Sequence, residues 1–173
     1  MQLVLNIPDI YPSIVLASVI ICIECYLTGF VTGFARHKHF TPKFMKENFG
    51  KELINGKISH PAVLGNPDNG SGRHSEKLDY AAWFHFNCCV RVHQNFVETL
   101  PMILTAIMVG GLIVPDIAFY VAWVNVVFRI VYLVGYVLKG PNFRMFGVLT
   151  ATLSVWVMLG YITFVLGNKV IFE

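Results

Sequence analysis

Charge is scarce in this chain. Only 13% of its 173 residues are Asp, Glu, Lys or Arg, against about a quarter in a soluble domain. With 55% hydrophobic residues and a mean hydropathy of +0.62, that deficit excludes an ordinary water-soluble domain and makes lipid the solvent for most of the chain. Cysteine is scarce too. Cys22 and Cys25 lie in an apolar run, and Cys88 and Cys89 are adjacent. Neither pattern is a secreted disulfide framework. The Cys22-x-x-Cys25 spacing lacks the βαβ context of a redox pair, so all four read as packing thiols. Residues 1–11 lack the basic segment of a cleavable leader, and the first apolar run is expected to stay as an anchor. The sequence has no internal repeat and no low-complexity tract. Zinc is not expected either, because His85, Cys88 and Cys89 lack a full ligand set and its spacing.

What is present is four apolar stretches. Residues 12–34, 80–112, 117–138 and 143–167 are each long enough, at about 1.5 Å per residue, to approach or exceed a hydrocarbon core of about 30 Å. The expected fold is all-α: one integral membrane domain, a four-helix bundle of up-down topology. Pro101 is expected to kink the second span. Gly110-Gly111 with Pro115-Asp116, and Lys139-Gly140-Pro141-Asn142, read as turns. Residues 41–79 form a polar loop. Thr41-Pro42 can open a helix there, with Met45, Phe49 and Leu53 on one side and Lys43, Lys46 and Lys51 among them. An interfacial helix and an ordinary loop both fit that pattern.

The net charge of +3 is unevenly placed. Ten of the thirteen Lys and Arg residues fall in 36–77 and 139–144. Those segments share one membrane face, and the opposite face has Lys169 near its end. The positive-inside rule puts the basic face in the cytoplasm, or in the matrix of a mitochondrion. The distribution gives no reason to expect nucleic acid.

Polar groups interrupt the spans in a pattern. Arg91, Asn95 and Glu98 stand at i, i+4 and i+7, on one helix face. An ionised side chain at membrane depth costs about 2.5–3.5 kcal/mol even on insertion scales, so this stripe must meet a partner, a ligand or water. One reading is an interhelical lock made by Arg91 and Glu98. Arg36 ends the first span at the basic face, Tyr132 and Tyr136 end the third, and Arg144 opens the fourth, with Arg129 one turn deeper. Arginine forks pair with carboxylates, Glu98 suits an ammonium group, and a helix N-terminus beside Arg144 favours an anion. Together these suit a small zwitterionic thiol. Ionising a thiol of pKa about 8.5 at neutral pH takes about 2 kcal/mol, within reach of one desolvated arginine at a helix end.

The run Phe86-Asn87-Cys88-Cys89-Val90-Arg91-Val92-His93-Gln94-Asn95-Phe96-Val97-Glu98-Thr99-Leu100-Pro101 resembles the second-helix motif of the MAPEG family, the membrane-associated proteins of eicosanoid and glutathione metabolism. It is most similar to the microsomal glutathione transferase 3 type, through the Phe-Asn-Cys lead-in and the His-Gln-Asn core. Ala35-Arg36, Arg129 to Tyr136 with Gly135, and the Gly140-Pro141 turn before Arg144 extend the resemblance over residues 12–167. It implies a homotrimer that binds glutathione as co-substrate between subunits. Arg91, Asn95, Glu98, Tyr132 and Tyr136 would contact glutathione, Arg36 and His93 would reach in from the adjacent subunit, and Arg144 would stabilise the thiolate. Thr99 departs from the tyrosine of the leukotriene-synthase branch, and loop 41–79 is longer than usual in the family.

The expected function is a glutathione transferase or glutathione-dependent peroxidase of the endoplasmic reticulum or a mitochondrial membrane, with a lipophilic substrate arriving from lipid. The alternative is a non-catalytic accessory or lipid-binding subunit of a larger membrane complex, with loop 41–79 as its docking element. A transporter or channel is disfavoured, since the sequence has no paired broken helices and no charge-lined pore.

Overall fold

A computed structural model describes residues 7–54 and 64–172; Lys57, counted above among the basic-face residues, lies outside them. The described chain is helical and, among the described residues, has no strand. Five α-helices follow in order: α1 Tyr11–His39, α2 Pro42–Ile54, α3 Tyr80–Ile113, α4 Pro115–Lys139 and α5 Arg144–Phe172, with short 3-10 turns at Ser75–Lys77 and Pro141–Phe143. All but α2 are long and apolar enough to cross a membrane. The four long helices fall on the four apolar stretches of the sequence; α1 and α5 run five residues past the expected C-terminal ends, and α5 begins at Arg144 rather than at residue 143.

Their outward faces are greasy. Leu16, Val19, Ile23, Leu27, Phe30 and Phe34 of α1 are at least half or nearly half exposed at intervals of three and four. Phe146, Leu149, Leu153, Trp156, Val157 and Phe164 of α5 are likewise more than half exposed. In water such stripes would be a liability; in lipid they are the solvent-facing surface.

The chain forms two compact units: residues through Tyr26 together with those from Asn95, and Leu27–Gln94. The first is a four-helix core. Ile14, Ala17 and Ile21 of α1 meet Ile103, Ala106 and Ile107 of α3, Ala118 and Ala122 of α4, and Val155, Met158 and Ile162 of α5. The recurrent small residues let backbones approach, as membrane helix packing requires. Gly110 and Gly111 belong to this packing. The sequence assigned them to a turn, but α3 runs through both and the break falls at Val114. A Cβ on Gly110 would collide with the Met158 side chain, and one on Gly111 would sit 2.8 Å from the Tyr11 ring. Pro101 lies inside α3, which continues through it.

The second unit holds the end of α1, α2, the loop and the start of α3. Thr41 caps α2, its Oγ1 accepting the Phe44 N–H at 3.2 Å, and Pro42 occupies the first helical position, where its missing N–H costs nothing. Of the two readings for this segment, the helix is the one that forms. Met45 is buried while Lys43, Lys46 and Lys51 are exposed. Asp79 caps α3 through the Ala82 N–H at 2.9 Å.

Between the two helices the loop is tied to a single carboxylate. Asp68 accepts the N–H groups of Gly70, Gly72, His74 and Ser75 at 2.7–3.0 Å, and the Ser75 hydroxyl at 3.0 Å. Burial alone would raise its pKa, but the backbone bonds from Ser75, Gly70 and Gly72 and the Ser75 hydroxyl outweigh it and hold the carboxyl below the usual aspartate range. Asn87, from the Phe-Asn-Cys lead-in, donates to Gly70 O at 2.9 Å, and Trp83 Nε1 donates to the same oxygen at 3.1 Å. Gly70, at φ 104°, has no room for a Cβ beside Asn87.

Candidate functional site

The inward face of α4 carries Asn125, Arg129, Tyr132 and Tyr136 at intervals of four, three and four, all buried. This is one stripe of one helix. Gly140, at φ 86°, ends α4, and its N–H bonds Tyr136 O at 3.0 Å. The Phe143 N–H then reaches Gly140 O at 3.2 Å, so α5 returns directly against α4. Glycine permits the approach. A Cβ on Gly147 would lie 2.6 Å from Tyr132 N, and one on Gly135 would lie 2.8 Å from Phe143 O. The two backbones therefore sit closer than any larger residue allows.

That approach delivers Arg144, the first residue of α5, to Tyr136. Arg144 Nη1 donates to the Tyr136 hydroxyl at 3.3 Å, and its guanidinium carbon lies 5.3 Å from the ring centroid. Tyr132 and Tyr136 meet edge to face with centroids 5.6 Å apart. Arg144 is half-buried and stands at a helix N-terminus, where unsatisfied N–H groups add to its positive charge. The arrangement is a cation with one phenol held against it, suited to an anionic atom.

Arg129 is 3% exposed and has a different task. From α4 it donates to Asn95 Oδ1 of α3 at 3.3 Å and to Thr99 Oγ1 at 2.7 Å, and its guanidinium packs 4.7 Å from the Phe96 ring centroid. Arg129, Asn95 and Thr99 thus form an interhelical lock between α4 and α3. Thr99 fits because its small hydroxyl accepts Arg129 while donating to Asn95 O at 2.7 Å. Asn95 is half-buried and Glu98 is exposed one turn further along α3.

The remaining candidates sit in the second unit. Arg91 is exposed and its Nη1 reaches Gln94 Oε1 at 3.4 Å. His93 is half-buried, its Nδ1 2.9 Å from Thr28 Oγ1, with Gly29 leaving space for the ring. Arg36 is engaged with the loop: Nη2 donates to Asp68 O at 2.5 Å and Asn69 Oδ1 at 2.7 Å, Nη1 to Leu64 O at 3.4 Å, and the guanidinium packs 5.1 Å from the Phe86 ring centroid. Reasoning from sequence named Arg129 in passing and missed its bond to Thr99. It also missed Asp68. The signal for the first was an arginine in the middle of an apolar run. For the second it was an aspartate two residues before a glycine.

Among the described residues no group of three or more His, Cys, Asp or Glu side chains is placed to hold a metal. The polar inventory is cationic, phenolic and amide, set in a helical membrane scaffold. Four helices able to cross a membrane, with an arginine–tyrosine pair opening the last of them, define an integral membrane protein of helical class. The MAPEG family model matches residues 14–164, and the chain belongs to the MAPEG family. No solved structure matches it.

Proposed function

We propose that the chain is a membrane glutathione transferase or glutathione-dependent peroxidase acting on lipophilic electrophiles or lipid hydroperoxides. The observation that carries this is the Arg144–Tyr136 pair at the start of α5, held by the backbone contact at Gly135 and Gly147. MAPEG membership supports glutathione as the co-substrate in general terms. The donor set fits it: Asn95 offers an amide, Glu98 a carboxylate, Tyr132 and Tyr136 phenols, and Arg144 a cation. Glutathione supplies a thiol nucleophile. Arg144 favours its ionised form, and the Tyr136 hydroxyl, accepting from Arg144, keeps its own proton free to point at the same anion. The apolar side chains around the stripe lower the local dielectric, which strengthens the arginine's field.

The assembly proposed with this function is a homotrimer in an endoplasmic reticulum or mitochondrial membrane, its basic face toward the cytoplasm or matrix. Arg91 extends the α3 row by one turn. Arg36 and His93 are proposed to serve glutathione bound by a neighbouring copy.

Purified protein in lipid, given glutathione with either a hydrophobic electrophile or a long-chain hydroperoxide, decides the matter. Thioether product identifies the transferase, and glutathione disulfide with the lipid alcohol identifies the peroxidase. Neither product from folded protein would overturn the proposal in favour of an accessory subunit, and co-purification with a larger complex would support that reading.

A further inference from the structure

In the second unit a cleft of about 370 Å³ opens where the 3-10 turn meets α3, lined by Ser75, Glu76, Leu78, Tyr80 and Trp83. That volume falls in the range of small-molecule sites, about 300–1,000 Å³. Its walls are held from behind. Ser75 is fully buried with its hydroxyl on Asp68, and the Trp83 indole is anchored through Nε1 to Gly70 O at 3.1 Å. Tyr80 is 76% exposed. Its ring lies at 27° to that of Trp83 with centroids 5.8 Å apart, and Phe84 extends the row, its centroid 6.1 Å from that of Tyr80. Nothing fits between rings at that spacing, so they form one aromatic wall. Glu76, on the same cleft, is exposed. The 34 residues of α3 span about 51 Å, against roughly 40–45 Å for a bilayer with its headgroups. The first turn of α3, and the cleft beside it, therefore lie at headgroup depth on the basic face.

An aromatic wall with a carboxylate beside it attracts a cation through the ring quadrupole and through charge. A quaternary ammonium suits it better than a primary one, because its methyl groups cover apolar ring surface and it gives up less hydration. The charged residues around the cleft, Arg73, Glu76, Lys77 and Asp79, are all exposed and sum to zero. A neutral setting with both signs favours a zwitterion over a free cation. We propose that the cleft binds the headgroup of a phosphatidylcholine-type membrane lipid. The ammonium rests against Tyr80 and Trp83 beside Glu76, the phosphate is drawn to the cations Arg73 and Lys77, and the acyl chains pass the exposed Phe84 into the bilayer. An ordinary interfacial aromatic belt accounts for the rings, but it calls for neither a cleft with a tethered wall nor a carboxylate on it. The cleft's occupancy is independent of glutathione.

Lipid competition read by native mass spectrometry tests this. The detergent-solubilised protein is given equal amounts of phosphatidylcholine, phosphatidylethanolamine and phosphatidylglycerol with the same acyl chains. Phosphatidylcholine should be the lipid retained. Glu76→Gln and Tyr80→Leu should each weaken its retention about two- to fivefold, as expected for losing one exposed charge or cation–π contact. Tyr80→Phe, which keeps the ring, should hold the lipid as the native protein does. Both positions are exposed, so the variants should fold, and melting curves verify it. Equal retention of the three lipids, a preference for phosphatidylglycerol, or unchanged phosphatidylcholine retention in either folded loss variant would overturn the site. Soluble phosphocholine or a trimethyllysine peptide that displaces the lipid at equal concentration would assign the cleft to a soluble quaternary ammonium and overturn the lipid as its occupant.

Discussion

Replacing Gly147 by alanine puts a single methyl group where two backbones meet. The added Cβ would lie 2.6 Å from Tyr132 N, 2.7 Å from Tyr132 Cα and 2.9 Å from Phe128 O. All three are main-chain atoms, so no side chain can swing aside. Ordinary carbon contacts lie at about 3.5–4.0 Å, so α4 and α5 must part by roughly 1 Å. Overpacking of this kind costs about 1–3 kcal/mol, offset in part by the roughly 1 kcal/mol that alanine gains over glycine in a helix. The larger effect is on the site, because the displaced segment carries Tyr132 and Tyr136 and the helix opened by Arg144. A misplacement of about 1 Å can cost about a hundredfold in rate. Gly160, also on α5, has nothing within 4 Å of its hypothetical Cβ, so Gly160→Ala is the matched control. Thermal melting in detergent and glutathione turnover should show Gly147→Ala impaired in both and Gly160→Ala unimpaired. Equal behaviour of the two variants would refute the close-approach argument.

Other perturbations follow from single contacts. Tyr136→Phe keeps the ring over Arg144 but removes its hydroxyl, and should weaken glutathione binding about three- to tenfold by titration with little change in melting. Asp68→Ala strands four loop N–H groups, and limited proteolysis should cut the 64–75 segment far faster than in wild type. The depressed Asp68 pKa adds a pH signature. Its stabilisation is complete above the ordinary aspartate range and is lost as pH falls through the lower folded value, so loop protection measured by proteolysis-independent hydrogen exchange should survive mild acid and fail only below that range. Thr28→Val removes the hydroxyl beside His93 Nδ1 and should cost about 1 kcal/mol, read as a lower melting temperature.

The spans were legible because lipid imposes a simple rule: about twenty apolar residues, and polar groups only where something receives them. The Arg91-x-x-x-Asn95-x-x-Glu98 stripe and the Gly140-Pro141 turn before Arg144 were visible for the same reason. Pair identities were not. Spacing places Arg91 and Glu98 on one face but is silent about Arg129 on another helix, 30 residues from Thr99 along the chain. Gly110-Gly111 misled because a glycine pair reads the same whether it turns the chain or admits Met158 and Tyr11. The loop was hardest. Its order comes from Asp68 gathering backbone N–H groups and from Arg36 gathering carbonyls, and neither leaves a periodic trace in sequence.

The central claim is that Arg144 holds a glutathione thiolate at the start of α5. Glutathione titrated into the detergent-solubilised protein, with thiolate absorbance followed in the ultraviolet, tests it most directly. The account predicts a saturable signal in the native protein that Arg144→Ala abolishes while its fold, checked by melting, persists. A folded native protein that gives no thiolate signal, or an Arg144→Ala variant that keeps it, would contradict the account.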